Sequence, residues 1–280
     1  MRQEDRARFD RALGRARRSA YQDGEFVEQE SFMRVDEIFA LAQRAGIGPG
    51  VSVLDVCCGV AGPGRLLAGA TGCTYLGVDA SAEAVEIARE RAAGLDCRFE
   101  VGRVPPLPPG RFDVVLLLET LLAFPDKDTL LRHVAAALAD GGRFAFTVEE
   151  GAPLTDSERA AMPDADTVWP TPLPALLDSL ERAGLRVSWR AELSASHLAM
   201  VESLTAAFAA DAAYIVEHVG RRGYAELVDA HRLWIDWLSS GRVRKFALVA
   251  EKLPAPAWGT DNRGARTALS GHVAQPAGRT

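Results

Sequence analysis

Two kinds of residue that can do chemistry share the stretch VLDVCCGVAGPGRLL at positions 53–67: adjacent cysteines and closely spaced glycines. The cysteines of the chain, Cys57, Cys58, Cys73 and Cys97, form no C-x-x-C pair, and two adjacent residues do not readily ligate one tetrahedral ion. We therefore interpret them as small apolar residues in a reducing compartment. Because no group of His, Cys, Asp or Glu has the spacing of metal ligands along the sequence, we predict that no metal is bound.

The glycines of the same stretch follow a short apolar run of the kind found in buried parallel strands. Gly59, Gly62 and Gly64 lie between this run and a helical stretch that opens at Leu66. A strand, a glycine-rich turn and a helix let the backbone approach a ligand, with helix N–H groups facing it. Asp79 ends the next strand-like segment, CTYLGVDAS, about 20 residues after the glycines, where an acid can accept hydrogen bonds from ribose hydroxyls. The pattern predicts an adenosine-containing cofactor across the strand ends.

Strand-like and helix-like segments alternate through the middle of the chain. Apolar residues recur at helical spacing in stretches 85–92 and 130–138, between apolar runs of strand length. This alternation predicts an α/β architecture with a doubly wound, largely parallel sheet. Helices are expected before the sheet and in a long insertion near its end.

Asp55, which precedes the glycine turn, distinguishes this stretch from nicotinamide-binding patterns. The order Asp-x-x-x-Gly resembles the first motif of the class I S-adenosylmethionine-dependent methyltransferases, most closely the small-molecule branch with the sarcosine/dimethylglycine, phosphoethanolamine and sterol methyltransferases. Further landmarks follow in the family's order: FDVVLLLET (112–120), LADGGRFAFTVEE (138–150), LLDSLERAGLRV (176–187) and GRVRKFALVAEK (241–252). The resemblance covers roughly residues 20–252. It implies S-adenosylmethionine as the cofactor and a Rossmann-like, seven-stranded, mainly parallel sheet whose final strand is antiparallel.

The resemblance also divides the chain into regions. Residues 1–48 are expected to form an N-terminal helical lid, and residues 49–192 and 241–253 the cofactor-binding core. Residues 193–240 are expected to form a helical cap inserted before the last strand. From 254 to 280 the sequence has too little apolar content to pack, so we predict a disordered tail.

The family's motifs imply cofactor-binding roles for particular residues of this sequence. Asp55 and the backbone of Gly59 match the positions at the methionine end, and Asp79 matches the ribose-binding acid, with Ala80 beside the adenine. Cys57 lies in the glycine turn and Arg103 after the third strand. Glu119 and Thr120 lie at the end of the fourth strand. Tyr21 and Gln29 lie in the N-terminal segment that closes over the cofactor in relatives.

Three features depart from the family pattern. Cys57 replaces the first glycine of the turn and Ala61 the third, so we expect a slightly bulkier turn. Arg103 stands where relatives carry an aspartate that bonds the adenine amine, and since arginine has no acceptor, adenine recognition must come from the backbone or another residue. Ala123 stands where many relatives have a histidine that can serve as a base.

With that base absent, the catalytic candidates are Glu119 and two histidines of the expected cap, His197 and His231. The substrate-binding candidates are aromatic or acidic residues expected near the pocket: Phe124, Glu149, Trp169, Tyr214 and Trp234. Either Glu119 or Glu149 could take a proton, or Glu149 could hold a cationic or polar substrate. We favour an acceptor that needs no strong base, such as a neutral amine or an acidic, enolisable carbon.

Charge and hydropathy limit the partners of the protein. The formal net charge of −6 argues against a nucleic acid held by general electrostatic attraction. No stretch approaches the ~20 apolar residues that span a bilayer, and the N-terminus lacks the apolar segment of a secretory signal. We expect a cytoplasmic protein that binds a small-molecule substrate and neither nucleic acid nor membrane. The sequence leaves open whether the protein forms a homodimer.

Together these observations predict an enzyme that moves a methyl group from S-adenosylmethionine to N, O or C of a small molecule, a specialised metabolite. Two alternatives stay open. One is a non-methylating enzyme of the cyclase or alkyl-transfer type that uses the same cofactor and fold. The other is a cofactor-binding regulator without turnover.

Overall fold

A seven-stranded sheet organises the residues that the computed structural model describes, 3–254, with side chains from residue 12 onward. The strands are β1 (Ser52–Val56), β2 (Thr74–Asp79), β3 (Cys97–Val101), β4 (Phe112–Leu117), β5 (Leu138–Glu150), β6 (Leu185–Glu192) and β7 (Arg244–Lys252). Their order is β3-β2-β1-β4-β5-β7-β6, and all neighbours pair in parallel except that β7 is antiparallel to both β5 and β6. The predicted doubly wound, mainly parallel sheet with an antiparallel last strand is confirmed.

Helices precede the sheet, link its strands and form the insertion before β7. They are α1 (Gln3–Ala20), α2 (Val35–Ala45), α3 (Gly62–Thr71), α4 (Ala82–Arg91), α5 (Lys127–Ala137), α6 (Asp156–Ala161), α7 (Leu173–Arg182), α8 (Ser194–Ala210) and α9 (Ala212–Ser239). Gly220 interrupts α9 with a φ of 80°, a conformation that glycine adopts without the steric cost of a side chain.

Strand β1 is buried on both faces of the sheet. Leu54 and Val56 belong to the apolar core that contains α5 and α7, whereas Val53 belongs to the core that contains α2, α3 and α4. This two-sided burial explains the unbroken apolar run of β1, which is typical of central parallel strands. A third apolar cluster joins α1, α8 and α9 beyond the sheet.

The chain order reverses at β1, which has β2 on one side and β4 on the other. In doubly wound sheets, ligands bind outside the carboxyl ends of the strands at such a reversal. Acidic residues lie at or just after the carboxyl ends of β1, β2, β4 and β5: Asp55, Asp79, Glu119 and Glu149. The fold therefore brings these acids to one edge of the sheet.

Two expectations concern the chain outside the sheet. Within residues 3–254, no single helix is long and apolar enough to span a membrane, although α8 and α9, bent by 94° relative to each other, meet that requirement when counted together. The predicted disordered tail, residues 254–280, lies outside the described residues apart from Pro254.

Candidate active site

A cavity of about 460 Å³ opens at the carboxyl ends of β1, β2, β4 and β5. Part of its wall comes from residues 28–32, between α1 and α2, which we call the lid segment. The volume is in the range of sites for small ligands. The predicted site residues that line the cavity are Gln29, Asp55, Cys57, Gly59, Asp79, Glu119, Thr120, Glu149 and Trp234.

The turn after β1 contains three residues in the left-handed region. Cys57, Gly59 and Ala61 have φ values of 62°, 54° and 55°. The left-handed conformation costs roughly 1–2 kcal/mol for each of the two non-glycine residues. The carboxylate of Asp79 accepts the Gly59 N–H through Oδ2 at 2.9 Å and the Ser81 N–H through Oδ1 at 2.8 Å. The end of β2 thus fixes the turn that follows β1.

Asp55 lies beside this turn and is paired with a residue that sequence reasoning missed. The Tyr75 hydroxyl donates a hydrogen bond to Asp55 Oδ2 at 2.6 Å, and both side chains are buried. Burial raises the pKa of Asp55 to about 7, and the hydrogen bond from Tyr75 offsets part of this rise. Gly64 is required beside Tyr75, because a Cβ there would lie 2.1 Å from the hydroxyl oxygen. In the sequence, the signal for this pair was a tyrosine within the apolar segment of β2, because a buried hydroxyl needs a hydrogen-bond partner.

The chemistry of this turn fits S-adenosylmethionine. Each Asp79 oxygen accepts one backbone N–H and keeps lone-pair capacity for a ribose hydroxyl. A Cβ built at Gly59 would meet open space, so at this position the backbone can approach a ligand without a side chain between them. Asp55 offers a carboxylate to an ammonium group. These are the residues that would hold the cofactor.

A second group, which we call the acid–lysine cluster, consists of Glu119, Glu149 and Lys245. The Lys245 ammonium contacts Oε1 of Glu119 and Oε1 of Glu149. The exposed fractions of the side chains are 0% for Lys245, 5% for Glu149 and 10% for Glu119. Both glutamates line the cavity, whereas Lys245 does not. The cavity therefore meets the carboxylates and not the ammonium.

Lys245 gives the two carboxylates different protonation tendencies. Burial raises the pKa of Glu119, but the Lys245 ammonium, His197 and Thr147 together outweigh it and leave this pKa below its usual value. Burial raises the pKa of Glu149, Lys245 offsets only part of this, and the neighbouring charge of Glu119 raises it further. Burial lowers the pKa of Lys245, but the two carboxylates bring it above its usual value. Glu119 and Lys245 therefore form the ionised pair, and Glu149 is the carboxylate that binds a proton more readily.

Glu119 is held in an unusual backbone conformation just after β4. Its φ is 59°, and its N–H donates to Thr147 Oγ1 of β5 at 2.7 Å. From the lid segment, the Phe32 N–H donates to Glu119 Oε2 at 3.5 Å. Left-handed non-glycine residues persist where the surrounding structure enforces them, often at functional sites.

Three potential metal ligands also meet at this cluster, which the spacing along the sequence did not show. One ligand atom each from Glu119, Glu149 and His197 lies within 4.8 Å of the others. The residues come from β5, α8 and the loop after β4, so only the fold brings them together. Lys245 contacts both carboxylates and already supplies a positive charge. The spacing along the sequence therefore missed this group, and the absence of a bound metal stays a prediction.

The two histidines predicted as catalytic candidates do not line the cavity. His197 is 3% exposed, with Nδ1 3.9 Å from Glu119 Oε2 and its ring edge-on to Phe32. Burial lowers the pKa of His197 to about 3, so its ring is neutral. His231 Nδ1 donates to the Leu227 carbonyl at 2.8 Å within α9. Both rings thus lie outside the cavity lining, and their catalytic role stays a prediction.

Two predicted aromatic residues likewise lie in the helical region rather than at the cavity. Tyr21 is buried in the cluster of α1, α8 and α9, and its hydroxyl donates to the Ser31 carbonyl at 2.6 Å. Tyr21 thus supports the lid segment without lining the cavity. The ring of Tyr214 lies under the guanidinium of Arg15, 4.3 Å from it.

Four more predicted residues also lie away from the cavity: Ala80, Arg103, Phe124 and Trp169. Ala80 and Arg103 are exposed, and Phe124 packs against the core on the α5 side of the sheet. The Trp169 indole N–H donates to the Asp166 carbonyl at 2.8 Å, which turns the ring away, and its neighbour Val168 lines the cavity instead.

Gln29 lines the cavity, but its amide is used within the N-terminal segment. Its Oε1 accepts the Val27 N–H at 2.7 Å, and its Nε2 donates to the carbonyls of Glu25 and Met33 at 2.9 and 3.1 Å. Gln29 therefore shapes the lid segment, and both of its amide hydrogens are already taken.

Sequence reasoning missed the lysine of the cluster and several apolar lining residues. These are Lys245, Phe32, Leu118, Leu122 and Val168. Lys245 offered a signal, because it begins the apolar run KFALVA in a strand that the resemblance had located. A charged residue that continues a buried strand needs a partner.

The sheet order, the glycine turn with its two acids and the strand-end cavity define the fold of the class I S-adenosylmethionine-dependent methyltransferases. A family model described as a methyltransferase domain matches residues 53–142, from β1 into β5. Residues 53–142 are thus similar to a methyltransferase domain, and the chain has the class I methyltransferase fold that the sequence predicted.

Individual proteins are also similar to this chain. The chain is 37% identical over 112 residues to the methyltransferase GfsG of Streptomyces halstedii, covering 38% of this chain and 40% of that protein. It is 33% identical over 119 residues to phosphoethanolamine N-methyltransferase 1 of Arabidopsis thaliana, covering 41% and 24%. The solved [4+2]-cyclase SpnF superposes with a TM-score of 0.67 at 22% identity, covering 79% and 82%. The matches span less than half the length of the two relatives, and the likeness to SpnF is one of fold.

Proposed function

We propose that the protein transfers a methyl group from S-adenosylmethionine to a nitrogen, oxygen or carbon atom of a small molecule, and that this acceptor is a specialised metabolite. The observation that carries the proposal is one cavity in which the turn with Asp55 and Asp79 adjoins the carboxylates of Glu119 and Glu149. A cofactor subsite and an acceptor subsite thereby share one cavity. The specialised metabolite is proposed from the resemblance to the small-molecule branch.

When bound, S-adenosylmethionine supplies an electrophilic methyl group. The chain contributes binding and alignment: Asp55, Gly59 and Asp79 hold the cofactor, and the rest of the cavity holds the acceptor beside it. Such positioning can lower a barrier by several kcal/mol without covalent catalysis. The lid segment and the apolar lining residues Phe32 and Trp234 limit the access of water.

The acid–lysine cluster suits an acceptor that needs no strong base. Because Lys245 lowers the pKa of Glu119, the Glu119 carboxylate is a weak proton acceptor. Glu149 binds a proton more readily but is held at Oε1 by the same ammonium. A neutral amine keeps its nucleophilic lone pair without deprotonation. The name of the Arabidopsis relative, a phosphoethanolamine N-methyltransferase, supports nitrogen as one candidate atom.

Mass spectrometry with a methyl-deuterated cofactor and a library of candidate acceptors tests the proposal. We expect equal amounts of deuteriomethylated acceptor and S-adenosylhomocysteine. An altered acceptor with intact cofactor would favour the non-methylating enzyme, for which SpnF is a precedent of fold. Cofactor binding with no change in any acceptor would favour the regulator.

A further inference from the structure

The acid–lysine cluster is built on paired strands, so its geometry is fixed. Glu149 of β5 and Lys245 of β7 are direct partners in the antiparallel register. Directly opposed side chains project from the same face of a sheet, with Cβ atoms about 4.5–5.5 Å apart. Glu119 reaches the same ammonium from the residues after β4. Two paired strands and the loop after β4 thus position one small group of charges at the cavity.

One carboxylate oxygen of this cluster has neither a hydrogen-bond partner nor an ion contact among the described residues. Glu149 Oε1 accepts from Lys245, whereas Glu149 Oε2 is buried and unpartnered. Glu149 is buried and lines the cavity. A buried carboxylate oxygen without a donor is unfavourable, so a bound group that donates a hydrogen bond to it is stabilised.

The rest of the cavity offers no counterion for an anionic acceptor. Among the described residues, its wall contains no lysine, arginine or histidine, and its acidic members are Glu28, Glu30, Asp55, Asp79, Glu119 and Glu149. The other buried lysine, Lys127, donates to the carbonyls of Phe124 and Trp169 at 2.9 and 2.8 Å. A phosphate or carboxylate placed beside Glu149 would therefore meet like charge without a cation.

We propose that Glu149 is a specificity-determining residue whose Oε2 accepts a hydrogen bond from an amine or hydroxyl group of the acceptor. Acceptors that carry a phosphate or carboxylate near the reacting atom are excluded. Lys245 is a positioning residue, because it holds Oε1 of the same carboxylate. The inference rests on the proposed function, since it assumes that cofactor and acceptor share the cavity.

Sinefungin is a suitable probe, because it differs from S-adenosylhomocysteine by a carbon that bears an ammonium group in place of sulfur. Isothermal titration compares the dissociation constants of the two ligands in the full chain. In the wild type we expect sinefungin to bind about tenfold more tightly, the scale of one charge-assisted hydrogen bond. In Glu149→Gln this ratio falls to within about threefold, while S-adenosylhomocysteine binds as before. The matched control is Glu150→Gln, next in the same strand and outside the cavity lining, which keeps the wild-type ratio.

The outcomes separate the inference from the proposed function. If neither ligand binds the wild type, the proposed function is wrong and the inference falls with it. If S-adenosylhomocysteine binds but sinefungin has no advantage, or keeps it in Glu149→Gln, only the inference is overturned. Should Glu149→Gln fail to fold, Glu149→Asp keeps the carboxylate but draws its oxygens back by one methylene group, and it is expected to lower the ratio as well. An acceptor methylated faster as its phosphate ester than as the parent alcohol also overturns the inference.

Discussion

The carboxylate of Asp79 accepts a hydrogen bond from the Gly59 backbone N–H at 2.9 Å, which ties the end of β2 to the turn after β1. The acid that we assign to the ribose thus also shapes the turn at the methionine end. A cofactor that binds at both ends therefore depends on the Asp79 side chain twice, for a direct contact and for the conformation of the turn.

Replacing Asp79 with alanine is expected to weaken S-adenosylhomocysteine binding by roughly 1–3 kcal/mol, because charge-assisted hydrogen bonds are lost. Titration calorimetry measures the change. Asp79→Asn keeps one amide oxygen as an acceptor and should lose less. As a control, Asp128→Ala alters an exposed carboxylate that pairs with Arg182 on the surface and should leave the dissociation constant unchanged. Undiminished binding in Asp79→Ala would mean that the cofactor lies elsewhere.

Cofactor affinity is expected to depend on the ionisation of Asp55. Because its pKa is about 7, the carboxylate that faces an ammonium group is mostly protonated at about pH 6 and mostly ionised at about pH 8. S-adenosylhomocysteine should bind about tenfold more tightly at the higher pH, and Asp55→Asn should remove this dependence. Tyr75→Phe removes the hydrogen bond that lowers this pKa, so the affinity of the variant for S-adenosylhomocysteine should rise at a higher pH than that of the wild type.

The contribution of Asp55 to folding stability should fall as the pH rises, whereas its contribution to cofactor affinity should increase. Its pKa in the folded protein, about 7, lies above the value of about 3.9 in an unfolded chain. The protonated form therefore favours folding below about pH 4, and this contribution is lost as the pH rises towards 7. Urea unfolding of the wild type and Asp55→Asn across this range measures it. A wild-type stability that rises relative to the variant would contradict the assignment.

Lys245→Met should destabilise the protein by about 3–5 kcal/mol, because it leaves two buried carboxylates without their cation. Without the ammonium, both carboxyl groups would have raised pKa values in the folded state. Stability should therefore be retained better at low pH and be lost as the pH rises. Denaturant titrations of the variant near pH 5 and pH 8 measure the difference. Lys252→Met, later in the same strand, removes one hydrogen bond to a carbonyl and should cost about 1 kcal/mol with little dependence on pH.

Chelation is expected to leave methyl transfer unchanged. Although Glu119, Glu149 and His197 could supply ligand atoms, the Lys245 ammonium contacts both carboxylates and opposes a second cation there. Added Mg²⁺ should likewise cause no thermal shift. Loss of activity in EDTA with recovery in Mg²⁺ would show that a metal displaces the lysine and would point towards a catechol acceptor.

Glu119→Gln is expected to alter the affinity for the acceptor more than the pH–rate profile, once the labelled-cofactor screen has identified an acceptor. The ionised pair with Lys245 makes Glu119 a weak base, so we expect it to hold the acceptor rather than to take its proton. KM and kcat measured from about pH 6 to pH 9 separate the two roles. Loss of the basic limb in the variant would instead assign Glu119 as the proton acceptor.

The cofactor half of the site could be predicted from the sequence because its parts are local. Asp55, the glycine turn and Asp79 belong to one strand–turn–helix–strand unit, and buried parallel strands bring their carboxyl ends to one edge of the sheet. The apolar runs and the helical spacing likewise predicted the sheet, since backbone hydrogen bonding and burial act alike wherever that pattern occurs.

The acceptor half was decided by the tertiary structure. Lys245 meets Glu149 through the register of β5 and β7, which are separated along the chain by α6, α7, β6, α8 and α9. Local spacing contains no information about such a register. For the same reason the sequence could not show that His197 and His231 turn into the packing of the cap, or that Trp169 bonds its own loop. The sequence by itself determined the fold and the cofactor turn, because short-range patterns encode them. Long-range packing determined which charges meet at the cavity, because the pairing of a buried charge depends on every strand and helix around it.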